Sequence, residues 1–139
     1  GCLQDKRYPD VFNVRVITRN GKITSDEHRA VAEAAEKFGS GAVAMTTRLT
    51  LEIQGVKHEN IQPLIDFLAE HGLSTGGTGS LVRPVVSCKG TTCQYGLADT
   101  YGLSERSTRS STSATTVSPC LTSSRSASAV VPITALSPA

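Results

Sequence analysis

The chain has 139 residues, no tryptophan, 4% aromatic and 38% hydrophobic side chains, so its core is aliphatic and sized for one compact domain. A formal net charge of +2 is too small to mark a nucleic-acid or membrane surface. No apolar run approaches the roughly 20 residues of a membrane span, and the opening GCLQDKR leads into no signal-peptide core. Membrane-spanning and secreted readings are therefore set aside, and a cytoplasmic protein without nucleic-acid or membrane partners is expected.

In chain order, Val11, Val14, Val16 and Ile17 mark a β-rich segment, with Arg15 as the one cation within it. Asn20-Gly21 supplies the turn that closes this segment. Thr24 and Glu27 have capping-box spacing, and Val31, Ala34, Ala35 and Phe38 then recur at helical intervals until Gly39. Ala42 to Ile53 reads as extended structure long enough to bend or split. In it, Leu49, Leu51 and Ile53 alternate against Arg48, Thr50 and Glu52. Ile61, Leu64, Ile65 and Leu68 form one face of a second helix that stops at Gly72, with Pro63 tolerated in its first turn. Gly76-Gly77-Thr78-Gly79-Ser80 is an anion nest or a plain connector. A further strand, Val82–Ser87, is expected to run straight into Cys88. The β-α-β-α-β order predicts an α+β, ferredoxin-like half-domain over 1–86, followed over 87–105 by the start of a cluster-binding domain.

The chemistry-bearing residues are few. Cys88-Lys89-Gly90-Thr91-Thr92-Cys93 places two thiols around a glycine that permits a tight loop. That spacing fits half of a [4Fe–4S] or zinc site, the bland alternative being two buried free thiols. Thr46-Thr47-Arg48 sets a guanidinium opposite the apolar side of its strand, where it can clamp an oxyanion or carboxylate or simply be solvated. Arg83 stands five positions before Cys88. His28, His58 and His71 read as exposed helix-end residues, and neither a nucleophilic triad nor a phosphate-binding loop is present.

From Arg106 the composition changes: Ser and Thr fill 16 of the last 34 positions, and Gly, Asp, Glu, Lys and aromatic residues are missing. Such a stretch offers little apolar surface against its ordering entropy, so 106–139 reads as disordered or out of frame.

Taken together, Thr46-Thr47-Arg48-Leu49-Thr50-Leu51, Arg83-Pro84-Val85-Val86-Ser87-Cys88 and Cys88-x4-Cys93-x2-Gly96 resemble the siroheme- and [4Fe–4S]-dependent sulfite and nitrite reductases, in particular the small anaerobic-type sulfite reductase subunits. The resemblance spans about residues 11 to 105. It implies that Arg48 and Arg83 hold sulfite or nitrite oxygens and siroheme carboxylates, that Thr46, Thr47 and Arg15 adjoin the cofactor, and that Cys88 and Cys93 are the first two cluster ligands. It also implies an electron-donor protein or subunit as partner. The family pattern further calls for a Cys-x3-Cys pair and a Lys-x-Lys, and this chain has neither: Cys120 has no partner at that spacing and Lys89 is the last lysine. The chain as it stands is therefore expected to be inactive. Two rival readings stay open here, a small zinc- or cluster-binding protein using Cys88, Cys93, Cys120 and Cys2 or a histidine, and a partner-docking module.

The genetic code makes the out-of-frame reading testable. Joining the last base of each codon to the first two of the next across Val130–Pro138 permits Cys-Pro-Asn-Asn-Cys-Val-Lys-Pro, and the same offset across Pro119–Ala127 permits Leu-Pro-His-Lys-Phe-Lys-Ile. One offset thus supplies both missing motifs. Sequencing the encoding DNA around the Glu105 codon is expected to reveal these codons in the alternate frame; their absence leaves a genuine Ser/Thr-rich tail.

Overall fold

A computed structural model describes residues 1–78 and 83–115. Its elements are β1 (Cys2–Gln4), β2 (Val11–Ile17), α1 (Ser25–Phe38), β3 (Val43–Met45), β4 (Leu51–Lys57), α2 (Ile61–Glu70), β5 (Ser74–Thr75) and α3 (Thr100–Thr115). All strand pairings are antiparallel, and the sheet runs β1-β2-β4-β3. β5 lies on the same edge of β2 as β1, pairing with Val16 and Ile17 while β1 pairs with 12–14. Setting β1 aside, the order β5-β2-β4-β3 with α1 and α2 as crossovers is the ferredoxin-like arrangement predicted above.

The helices form where local signals place them. Thr24 accepts the Glu27 N–H through its hydroxyl while the Glu27 carboxylate accepts the Thr24 N–H at 2.8 Å, a complete capping box. Ala30, Val31, Ala34 and Ala35 form the buried stripe of α1, and Leu64 and Leu68 that of α2. These stripes meet Val14, Val16, Leu51, Ile53 and Val56 of the sheet in one aliphatic core.

The way β4 enters that core rests on Gly55. Leu51 and Ile53 point inward by strand alternation, yet the next inward residue is Val56, three positions on. The register between β2 and β4 shifts at this point, and Gly55 has φ +77°. Together these describe a β-bulge in which the extra residue turns Val56 back into the core. A Cβ at Gly55 would stand 2.6 Å from Cβ of Ser40, whose backbone N–H and hydroxyl both donate to Gln54 O.

Two expectations are corrected. Thr46–Leu49 are not strand: β3 ends at Met45, β4 begins at Leu51, and the intervening residues form the hairpin connection. Leu49 has φ +56° and is 38% exposed, so its apolar side chain is outside the alternation of Leu51 and Ile53. The strand expected over Val82–Ser87 is also missing over its described part, 83–87, which has no regular secondary structure. Pro84 has no N–H to give a ladder, and both edges of β2 are already taken by β1, β5 and β4. The helix α3 runs from Thr100 to Thr115, across the change of composition at Arg106. No glycine or proline interrupts the stretch from 103 to 115. The remainder of the tail, 116–139, lies outside the described residues.

Replacing Gly55 with alanine is expected to destabilise the domain by about 2 kcal/mol, from the left-handed backbone and the collision with Ser40. A urea denaturation series checks this, and an unchanged midpoint contradicts it. The capping box adds a pH dependence. The Thr24 N–H holds the Glu27 carboxyl below its ordinary value, against some opposition from burial, with the Thr24 hydroxyl and Arg19 helping. A depressed carboxylate contributes stability that is present above its unfolded value of about 4.3 and lost as pH falls through the folded value. Glu27→Gln is therefore expected to lose less stability than the wild type on acidification below about pH 4.3.

Candidate functional site

The antiparallel β2–β4 register decides where the site lies. Val16 pairs with Leu51, so the C-terminal end of β2 and the N-terminal end of β4 sit side by side. The Arg19–Lys22 turn and the 46–50 connection therefore share one end of the sheet. They touch there: the Thr18 hydroxyl donates to Leu49 O, and a Cβ added at Gly21 would stand only 3.2 Å from the Cβ of Leu49. Asn20 and Gly21 have φ +55° and +79°, and Lys22 N–H returns to Arg19 O at 3.0 Å. Two consecutive positive φ values make this a type I′ turn, which Asn-Gly favours.

The cysteine loop is tied to the same turn. Asn20 Oδ1 accepts the Ser87 N–H at 2.8 Å, and Asn20 Nδ2 donates to Ser87 Oγ at 2.6 Å. The next residue, Cys88, has its carbonyl bound by the Thr100 hydroxyl at 2.6 Å, and its Sγ receives the Gly90 N–H at 3.5 Å. Gly90–Thr92 forms a short 3-10 turn, closed by Cys93 N–H to Gly90 O at 2.9 Å. Gly90 has φ +57°, and a Cβ there would collide with the Thr100 hydroxyl and lie 2.9 Å from Thr100 N. Asp99 Oδ1 accepts the Gly102 N–H, capping α3 immediately behind the loop.

The predicted site residues are distributed as follows. Arg48 is half-buried and Thr47 exposed, both in the hairpin connection that touches the Asn20-Gly21 turn. Thr46 is committed within that connection: its hydroxyl lies 2.7 Å from the Thr50 hydroxyl, and its N–H donates to Thr50 O at 2.9 Å. Cys88 and Cys93 are half-buried free thiols in one loop. Arg83 is half-buried and precedes Pro84, whose ring packs on Gly77. Arg15 is 11% exposed and already engaged, with Nη2 at 3.2 Å from Glu52 Oε2 and Nη1 donating to Gly77 O at 3.2 Å. Its Nε is buried and has no hydrogen-bond partner among the described residues. The Gly76 N–H donates to Arg15 O, so that amide of the glycine run is used in the sheet rather than left for an anion; Gly79 and Ser80 lie outside the described residues.

In the sequence Asn20 reads only as a turn former, and neither Ser87 nor Thr100 stands out. Asn at a turn gives no hint of a bond reaching 67 positions along the chain. Among the described residues, no group of three His, Cys, Asp or Glu side chains stands ready to hold a metal ion. Two thiols are half the donor set of a [4Fe–4S] cluster, so the described chain does not fit a complete one.

Comparison with known proteins agrees with this architecture. Residues 4–71 match the nitrite/sulfite reductase ferredoxin-like half domain, and that stretch of the chain is such a half domain. A protein of Methanocaldococcus jannaschii described as uncharacterized is 32% identical over 97 residues, covering 70% of this chain and 35% of its own length. The coenzyme F420-dependent sulfite reductase of the same organism is 30% identical over 100 residues, covering 70% of this chain and 16% of its own length. The crystal structure of dissimilatory sulfite reductase I shares the fold, with a TM-score of 0.69 over 76% of this chain and 25% of that one, at 19% identity. The chain thus spans about a third or less of each relative.

Gly90→Ala is expected to open the cysteine loop and raise the alkylation rate of Cys93 severalfold, because the left-handed backbone and the Thr100 contact cannot both be kept. Peptide mapping after timed iodoacetamide treatment checks it, and unchanged rates contradict it.

Proposed function

We propose that this chain supplies one part of a siroheme and [4Fe–4S] centre that reduces a sulfur or nitrogen oxyanion, sulfite or nitrite. The observation that carries this reading is the meeting of the Arg48 connection and the Cys88 loop on one turn at one end of the sheet. Arg48 and Arg83 hold oxyanion oxygens and siroheme carboxylates. Thr46, Thr47 and Arg15 belong to the same wall, where the engaged Arg15 guanidinium fixes the Gly77 segment against the sheet. Cys88 and Cys93 are two of the four cluster ligands, and the other two must come from sequence this chain does not carry.

Cationic donors suit this chemistry. An oxyanion that sheds oxygen as water needs its negative charge held and protons delivered, and fixed guanidinium groups do the first and can take part in the second. The redox chemistry itself is the cofactors'. A partner donor protein or subunit passes in the electrons. The free Cys2, Cys88 and Cys93 thiols suit a reducing cytoplasm. Among the described residues, no helix is long and apolar enough to cross a membrane.

Anaerobic titration of the full chain with siroheme, followed by its visible absorbance, tests the cofactor wall. Saturable binding is expected, weakened on the order of tenfold by Arg48→Ala, since a hydrogen bond to a charged group contributes about 1.5–3 kcal/mol. Equal affinity of the variant and the wild type overturns the assignment of Arg48. Reconstitution with iron and sulfide is expected to give no stoichiometric [4Fe–4S] spectrum from this chain, and a cubane at one per chain contradicts the two-ligand reading.

A further inference from the structure

We propose that Asn20 is the positioning residue of the Cys88 loop: its carboxamide fixes where the thiol stands relative to the Arg48 connection. The inference rests on the site reading above but concerns the loop alone.

Asn20 is 7% exposed although it belongs to a surface turn. Both ends of its carboxamide are used on one residue, Oδ1 by the Ser87 N–H and Nδ2 on the Ser87 hydroxyl. A two-point grip on a main-chain N–H and its own side chain fixes orientation as well as distance, which a single bond does not. Ser87 lies directly before Cys88, and no ladder holds this segment, since 83–89 has no regular secondary structure. On the other side the Thr100 hydroxyl binds the Cys88 carbonyl, and the Gly90 N–H points at Sγ. The thiol is therefore fixed from α3 downstream and from the half-domain upstream, and Asn20 provides two hydrogen bonds that join the residue before it to the half-domain. On the other flank of the same turn, Thr18 and Gly21 hold Leu49, next to Arg48. One turn thus sets the spacing of the two chemistry-bearing loops.

The residue type is determined twice over. The type I′ turn needs a residue that tolerates φ +55°, which glycine and asparagine both do, but only asparagine also carries the donor and the acceptor that Ser87 requires. Glycine at this position therefore separates the two roles. Asn20→Gly keeps the turn and removes the grip, while Asn20→Asp keeps the acceptor and loses the donor.

The test is the rate of iodoacetamide alkylation of Cys88 in the full chain, read by peptide mass spectrometry, with Cys2, packed against the core, as the internal standard. Asn20→Gly is expected to raise the Cys88 rate on the order of tenfold with Cys2 unchanged, and Asn20→Asp to fall between it and the wild type. A wild-type Cys88 rate in Asn20→Gly overturns the proposal, since the turn alone would then suffice. A parallel rise at Cys2 and Cys88 also overturns it, because Asn20 would then serve only the stability of the whole domain. Neither result bears on siroheme binding through Arg48, so this proposal and the cofactor reading fail separately.

Discussion

The register between β2 and β4 is the constraint from which the rest follows. Val14 faces Ile53 and Val16 faces Leu51, all four pointing into the layer between sheet and helices. A slip of one residue would turn every one of them to the other side of the sheet, so the aliphatic core leaves a single pairing. The Gly55 bulge extends that logic, because without the extra residue Val56 would face outward. Once the register is set, the end of β2 and the start of β4 are neighbours, and so are the turns attached to them.

The arginine connection and the cysteine loop proposed for the site then meet at that end without belonging to the core. The 46–50 connection leans on Thr18 and Gly21, and the cysteine loop hangs from Asn20. The other edge of β2 binds the β5 extension, and Arg15 bridges across β2 from Glu52 of β4 to the Gly77 carbonyl. That arrangement explains why a cation tolerates near-complete burial: it has a carboxylate and a carbonyl to answer it. What this end of the sheet brings together is the Arg48 connection and a loop with two thiols, in a chain that spans about a third or less of its relatives.

Much of the fold was legible because its signals are local. Thr24 and Glu27 announce α1 three residues apart, and Ile61, Leu64 and Leu68 spell out the face of α2. The misread segments are those in which distant parts of the chain decide. Leu49 continues the alternation of Leu51 and Ile53 against Arg48, Thr50 and Glu52, but the Thr46 hydroxyl closes on Thr50 and turns the chain there. Residues 85 and 86 have strand-like side chains, yet the sheet has no free edge on β2 to receive them. Of the site, the thiol pair and the arginines stood out by residue type. The Asn20–Ser87 grip did not, because nothing within several residues of either partner points to the other. Gly55 did carry a usable signal, since a lone glycine within a strand pattern often marks a bulge.

The most direct test of this account is the distance between the two loops in solution. With Cys2→Ala, Cys93→Ser and Cys120→Ser in place, a nitroxide on Cys88 should broaden the amide resonances of Arg19–Gly21 and Thr47–Leu49. It should broaden those of Lys57–Asn60 far less, since the length of β4, about 20 Å, separates them from the 46–50 connection. Broadening at Lys57–Asn60 with sharp Thr47–Leu49 signals would contradict the common site.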